Sequence, residues 1–244
     1  MLVLVRILKR LIWDVWLVPI NYFTDLMAKP GCSSPVTQNL FDNGLHISDE
    51  LVSEGTLVLL NKVYSDLQRT GSIAEAGQNA GRLYKNGMLD SRLTDVVENM
   101  RKIASSYLCV RKAKLELTYF QTSEPRKDRN DVPGADFHID DNKANVKVFV
   151  YLSDVGDTNG PFVVVPKTHR WRDKGRIKRA LCFAITKDEP NYLYYNDNMN
   201  FLEERALYIT GVAGKWFVTD TTAWHRAQPV VSGCRKVFVA SFNR

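Results

Sequence analysis

Residues 137–155 read FHIDDNKANVKVFVYLSDV. The second half alternates like a half-buried strand. The first half sets His138 and Asp140 two residues apart, just before that strand, in a chain with only four histidines. A strand sends residues i and i+2 to the same face, so both side chains can aim at one spot inside a barrel. An imidazole and a carboxylate on one face begin a metal site, although H-x-D on its own also occurs in ordinary surface turns.

The neighbouring sequence decides what surrounds this spot. Beyond residue 110, the stretches KLELTYFQ, ANVKVFVYL, GPFVVVP, ALYITG, GKWFVTD and RKVFVASF are short, β-rich and separated by Gly, Asn, Asp and Pro signals. Such a series predicts a sandwich, barrel or jelly roll. Upstream the period is helical. Ser48 precedes DELVSEGTLVLLNKVYSDLQ as a helix start, GSIAEAGQNAG is a small-residue loop or weak helix, and residues 89–108 form an amphipathic helix. Helices first and strands afterwards predict an α+β chain with helices laid on a β core. KPGCSSPV, residues 29–36, reads as a linker.

The C-terminal stretch KWFVTDTTAWHRAQPVVSGCRKVFVASF, residues 215–242, supplies a second histidine. His225 is expected at the end of one strand. Arg235 opens the next and shares a face with Val237, Val239 and Ser241. Two antiparallel strands joined this way bring His225 and Arg235 together across a barrel mouth. Two histidines and one carboxylate form a facial triad for Fe(II) that leaves positions open for a 2-oxo acid and dioxygen. A guanidinium, always charged and fork-shaped, suits the far carboxylate of 2-oxoglutarate.

These motifs, His138-x-Asp140, GPFVVVPKTHR at 160–170, and His225 with Arg235 ten residues later, resemble the phytanoyl-CoA dioxygenase family of Fe(II)/2-oxoglutarate oxygenases. The resemblance covers residues 110–244 and, more loosely, the helices from 37. It implies a double-stranded β-helix (a cupin-like jelly roll), iron bound by His138, Asp140 and His225, and 2-oxoglutarate bound by Arg235. The implied reaction consumes O2 and releases succinate and CO2, with hydroxylation as the default outcome and ascorbate as a candidate reductant. Lys167-Thr168 precede His169 where family members often carry a Gly-Ser pair. Asp140 disfavours the halogenating branch of the superfamily. Ser241 stands where the nucleic-acid demethylase branch has a further arginine.

Around this set, Tyr119 and Gln121 alternate on their strand and are candidates to reach the co-substrate. Lys147, Phe149 and Trp224 are candidates for the substrate pocket, with barrel packing as the alternative for Trp224. His169 and Asp220 are expected to serve their loops, and His46 to be a surface residue of the helical preface. Two other readings stay open: a jelly-roll ligand-binding module without turnover, and a cupin-type dioxygenase that does not use 2-oxoglutarate. Neither requires a guanidinium facing the metal.

The bulk numbers agree with one domain. The chain has 244 residues, 45% of them hydrophobic, enough for one sizeable core. Its net charge of +6 and pI of about 9.1 point to anionic partners, and the expected substrate is a small metabolite, anionic or linked to a lipid or to CoA. No helix-turn-helix, RNA-recognition or finger pattern accompanies that charge, so sequence-specific nucleic-acid binding is not expected. The basic run KTHRWRDKGRIKR, residues 167–179, is either a solvated loop or a docking surface for an anion. Cys32, Cys109, Cys182 and Cys234 are scattered, which predicts reduced, mostly buried thiols in a cytoplasmic protein. In residues 1–28, Arg6, Lys9, Arg10 and Asp14 interrupt the apolar run, so nothing approaches the roughly 20 residues of a membrane span. This segment reads as an amphipathic apolar helix that packs on the domain or a second subunit, or lies peripherally in a membrane interface. No sequence feature sets an oligomeric state. The expected organisation is that helix, then one oxygenase domain over 37–244, with a helical preface at 37–109 and a jelly-roll core at 110–244.

Overall fold

The computed structural model describes residues 34–70, 82–84, 89–125, 136–140, 145–169 and 202–244. The N-terminal helix expected over 1–28, the small-residue stretch 71–81 and the basic run beyond 169 lie outside them. The described residues form a jelly roll of two antiparallel sheets with helices on the outer face of the larger one.

The described residues open with helix α1 (Pro35–Asn43), which starts in the last two residues of the segment expected as a linker and continues beyond it. Its signals are local. The Ser34 hydroxyl accepts the Thr37 N–H at 3.2 Å, proline stands in the first turn, and Gly44 closes the helix at φ 73° with its N–H on the Leu40 carbonyl. Strand β1 (Leu45–Leu51) follows, where the sequence predicts a helix from Ser48. Strand pairing overrides that start signal: Leu45 pairs with Thr219 and Ile47 with Phe217. The true cap is Ser53, whose hydroxyl accepts the Thr56 N–H ahead of α2 (Glu54–Arg69). After β2 (Arg82–Tyr84) and a 3-10 turn capped by Asp90 comes α3 (Thr94–Tyr107), within the predicted 89–108.

The six predicted strands are all present, as β3 (Lys114–Ser123), β4 (Val146–Tyr151), β5 (Phe162–Val164), β6 (Leu207–Ile209), β7 (Lys215–Asp220) and β9 (Arg235–Asn243). A further strand, β8 (His225–Ala227), stands between the last two. The larger sheet has the order β1-β7-β4-β9-β3-β2 and the smaller β6-β5-β8.

Alternation along the central strands sorts their side chains onto two faces. Val146, Val148 and Val150 of β4, with Val218, Phe238, Ala240 and Phe242, turn outward beneath Leu40, Leu60, Val97 and Ala104 of the helices. Phe149, Tyr151, Phe217, Val237 and Val239 turn inward onto Phe162, Val164 and Ile209 of the smaller sheet. β4 is therefore covered on both faces rather than half-buried, and the polar residue that breaks its apolar pattern, Lys147, faces into the barrel. A third cluster, Phe137, Ile139, Val163, Val165, Leu202 and Trp224, packs on the far side of the smaller sheet.

Candidate active site

His138 and His225 are tied to each other by backbone. Their amide and carbonyl groups exchange two hydrogen bonds, at 2.9 and 3.0 Å, in an isolated antiparallel bridge. The Asp140 N–H donates to the Thr221 carbonyl at 3.1 Å, which holds the third member beside the same loop. Both imidazoles are fixed from behind. Nδ1 of His138 lies 2.8 Å from the Asp136 carbonyl and Nδ1 of His225 lies 2.9 Å from the Ala223 carbonyl. A carbonyl only accepts, so each Nδ1 carries the hydrogen and each Nε2 presents its lone pair. Those two Nε2 atoms stand 3.8 and 3.6 Å from Asp140 Oδ1, too far for direct hydrogen bonds. All three ligand atoms fall within 4.8 Å of one another. Two imidazole nitrogens and one carboxylate oxygen converging without bonding each other fit a divalent transition metal.

The electrostatics keep His138 and Asp140 in the ligating state. Burial, reinforced by the neighbouring His225, pulls His138 down to about 4, so the ring is neutral at physiological pH. For Asp140, burial alone would raise the carboxyl. The Lys147 ammonium and His225 overcome it and hold the group well below the usual carboxylate range.

The loop that delivers His225 is organised by Asp220. Its Oδ1 accepts the Thr222 N–H at 3.0 Å and the Thr222 hydroxyl at 2.7 Å, and its Oδ2 accepts the Tyr107 hydroxyl at 2.7 Å. The expected loop role of Asp220 is thus seen in detail, and α3 is drawn into it. His225 itself opens β8 in the smaller sheet rather than ending β7, which corrects the hairpin expected from the sequence. His225 is therefore in the smaller sheet and Arg235 in the larger, not on neighbouring strands of one sheet.

Arg235 opens β9 as expected, opposite Ser123. It is 5% exposed, so its charge is desolvated and needs fixed acceptors. It donates to the Gly160 carbonyl and, at 3.1 Å, to the Ser123 hydroxyl. Gly160 holds φ 76°, and a Cβ there would stand 2.5 Å from the Gln228 carbonyl, so glycine is required where the GPF segment meets the arginine. Gln121 donates to Ser123 at 3.3 Å, so it reaches Arg235 through one hydroxyl. Tyr119 shares this inward face beside Val239. Neither Ser123 nor Gly160 was singled out from the sequence. Ser123 simply continues the alternation of Tyr119 and Gln121 by one more step.

Phe149 stacks on Phe217 at 4.7 Å and meets Phe162 at 4.8 Å, and Phe162 in turn lies against the His225 ring at 5.4 Å. These buried aromatics form a run of ring contacts that ends on His225. Lys147 Nζ donates to Asp140 Oδ2 at 2.6 Å. Trp224, the neighbour of His225 in a strand-like segment, turns the other way into the cluster with Phe137 and Val163; it packs behind the site and does not line it. His169 serves its loop, with Nε2 3.1 Å from the Phe41 carbonyl. His46 is in β1, half-buried with its ring 5.7 Å from that of Trp216, not on a helical surface. Cys109 is exposed and Cys234 half-buried, both free. The burial expected for the thiols fails at Cys109 because it sits in the tight turn after α3, at φ 53°. Among the described residues, no helix is long and apolar enough to cross a membrane.

A family model described as Phytanoyl-CoA dioxygenase (PhyH) matches residues 76–237. No curated protein matches the chain. Among solved structures, EctD from S. alaskensis with 2-oxoglutarate and 5-hydroxyectoine is similar at a TM-score of 0.65 and 13% identity, over 87% of this chain and 76% of that one. SnoK, a non-heme alpha ketoglutarate dependent carbocyclase from nogalamycin biosynthesis, gives 0.61 and 14%, over 87% and 84%. EvdMO1 gives 0.59 and 15%, over 86% of this chain and 49% of that one, so the chain spans about half the length of EvdMO1. At such identities the likeness is one of fold.

Proposed function

Because the chain belongs to the phytanoyl-CoA dioxygenase family of 2-oxoglutarate-dependent non-heme iron oxygenases, we propose that it oxidises a small anionic metabolite, by default through hydroxylation. His138, Asp140 and His225 would hold ferrous iron, and Arg235 would grip the distal carboxylate of 2-oxoglutarate. The iron, when bound, supplies the redox chemistry that couples loss of CO2 from 2-oxoglutarate, giving succinate, to insertion of one oxygen atom into a substrate C–H bond. The chain's own part is to bind, orient and exclude water. The two backbone carbonyls behind the imidazoles fix their tautomers, and Phe149, Phe162 and Phe217 keep the space beside the metal dry. Gly160 and Ser123 hold the Arg235 fork at the barrel wall.

The observation that carries this reading is the convergence of three ligand atoms within 4.8 Å in a barrel whose inner wall also bears a buried guanidinium. A jelly-roll module without turnover, or a cupin-type dioxygenase that does not use 2-oxoglutarate, does not require that guanidinium. The net positive charge supports an anionic substrate, free or lipid-linked. Scattered free thiols support a cytoplasmic setting; peripheral membrane attachment would rest on residues 1–28. The test is succinate release from 2-oxoglutarate with Fe(II), ascorbate and air. Wild-type protein is expected to turn over, His138→Ala to be inactive, and Arg235→Ala to need far more 2-oxoglutarate. An Arg235→Ala variant with unchanged turnover at low 2-oxoglutarate would refute the anchor.

A further inference from the structure

Lys147 is the one inward-facing position of β4 that is not aromatic, since Phe149 and Tyr151 follow it on the same face. Its neighbours across the sheet are small: Thr219 on β7 and Ser241 on β9. The long side chain therefore has room to run along the inner wall, and its ammonium reaches Asp140 Oδ2 at 2.6 Å. The other oxygen of the same carboxylate, Oδ1, is the one near both imidazoles, at 3.8 and 3.6 Å. The two oxygens are thus divided between two tasks.

We propose that Lys147 is a positioning residue that keeps Asp140 a one-oxygen ligand, so that the metal retains the open positions its co-substrates need. This rests on the metal reading above. Two neutral histidines and one carboxylate oxygen occupy half of an octahedral ion and leave about three positions. A chelating keto acid takes two, and dioxygen requires the last. A carboxylate free to rotate can close onto the ion with both oxygens and remove one of them. An ammonium has only donors, so Lys147 engages Oδ2 without becoming a ligand itself. The backbone bond from Asp140 N–H to Thr221 limits where the carboxylate can go, and the ammonium decides how it is turned.

The test uses the full chain loaded with Mn(II), and counts exchangeable waters from the line broadening that oxygen-17 water causes in the manganese resonance. Wild-type protein should show about three, Lys147→Arg about three, and Lys147→Met and Lys147→Gln about two. A loss of packing alone would not move this count, and recovery in the arginine variant ties it to the cation. About three waters in the folded methionine or glutamine variant would overturn the clamp, and so would only two in the wild type. Failure of the wild type to bind Mn(II) at all would instead sink the metal reading, and the clamp with it. The two failures are therefore told apart in one experiment.

Discussion

Lys147 and Arg235 stand on β4 and β9, the two strands at the centre of the six-stranded sheet, whereas His138 and Asp140 stand on backbone outside any named strand and His225 on a three-residue strand of the smaller sheet. β9 pairs along its length with β3 on one side and β4 on the other. Among the described residues, the His138 segment is tied by its bridge to His225 and by the Asp140 bond to Thr221. Stability and site geometry are therefore in different hands. The central strands, buried on both faces, form most of the core, while loop hydrogen bonds place the backbone of the proposed ligands and Lys147 reaches over from β4 to Asp140. A reactive centre gains from this division, because the ligands can adjust to a metal without disturbing the core.

The comparison can be broken by substitutions that strike one side alone. The largest effect on stability is expected on the sheet side. Phe238→Ala removes a fully buried ring that meets Phe120 at 4.9 Å, and should cost about 3–5 kcal/mol of unfolding free energy. Denaturant unfolding measures that loss, and the protein that stays folded should bind Mn(II) with unchanged affinity. Asp220→Ala strikes the loop side. It deletes the acceptor for Thr222 and Tyr107, at about 1–3 kcal/mol, yet it should weaken Mn(II) binding roughly 10-fold, because the His225 loop loses its brace. Equal loss of metal affinity in both variants would dissolve the distinction. Ser123→Ala is the mildest. It takes one acceptor from the Arg235 fork, about 1 kcal/mol, and should raise the 2-oxoglutarate concentration needed for half-saturation by roughly fivefold with metal affinity intact.

The proposed ligand set was legible because its signals are local in the chain. Spacing alone puts His138 and Asp140 on one face, and alternation puts Arg235 with Val237 and Val239. The rest depends on pairings that only the folded chain makes. β8 is three residues long, too short to alternate, so His225 reads as the end of β7 instead of the start of its own strand. The Ser48–Asp49–Glu50 run mimics a helix start, but Gly44 had already turned the chain into an edge strand against β7. Lys147 reads from sequence as a pocket residue. That it also reaches Asp140 follows from the small side chains of Thr219 and Ser241 beside it, which are neighbours by register and not by sequence. Trp224 could have been placed by parity alone, since it adjoins a residue that faces the interior.

The most direct test is an anaerobic titration of the Fe(II)-loaded protein with 2-oxoglutarate, followed by the visible absorption that a chelated keto acid gives on ferrous iron. The band should saturate in wild-type protein, be absent in Asp140→Ala, and in Arg235→Ala demand at least about 30-fold more 2-oxoglutarate, as expected when a buried charge pair loses one partner. A band of equal strength in Asp140→Ala, or none in the wild type, would contradict a ferrous centre held by His138, Asp140 and His225.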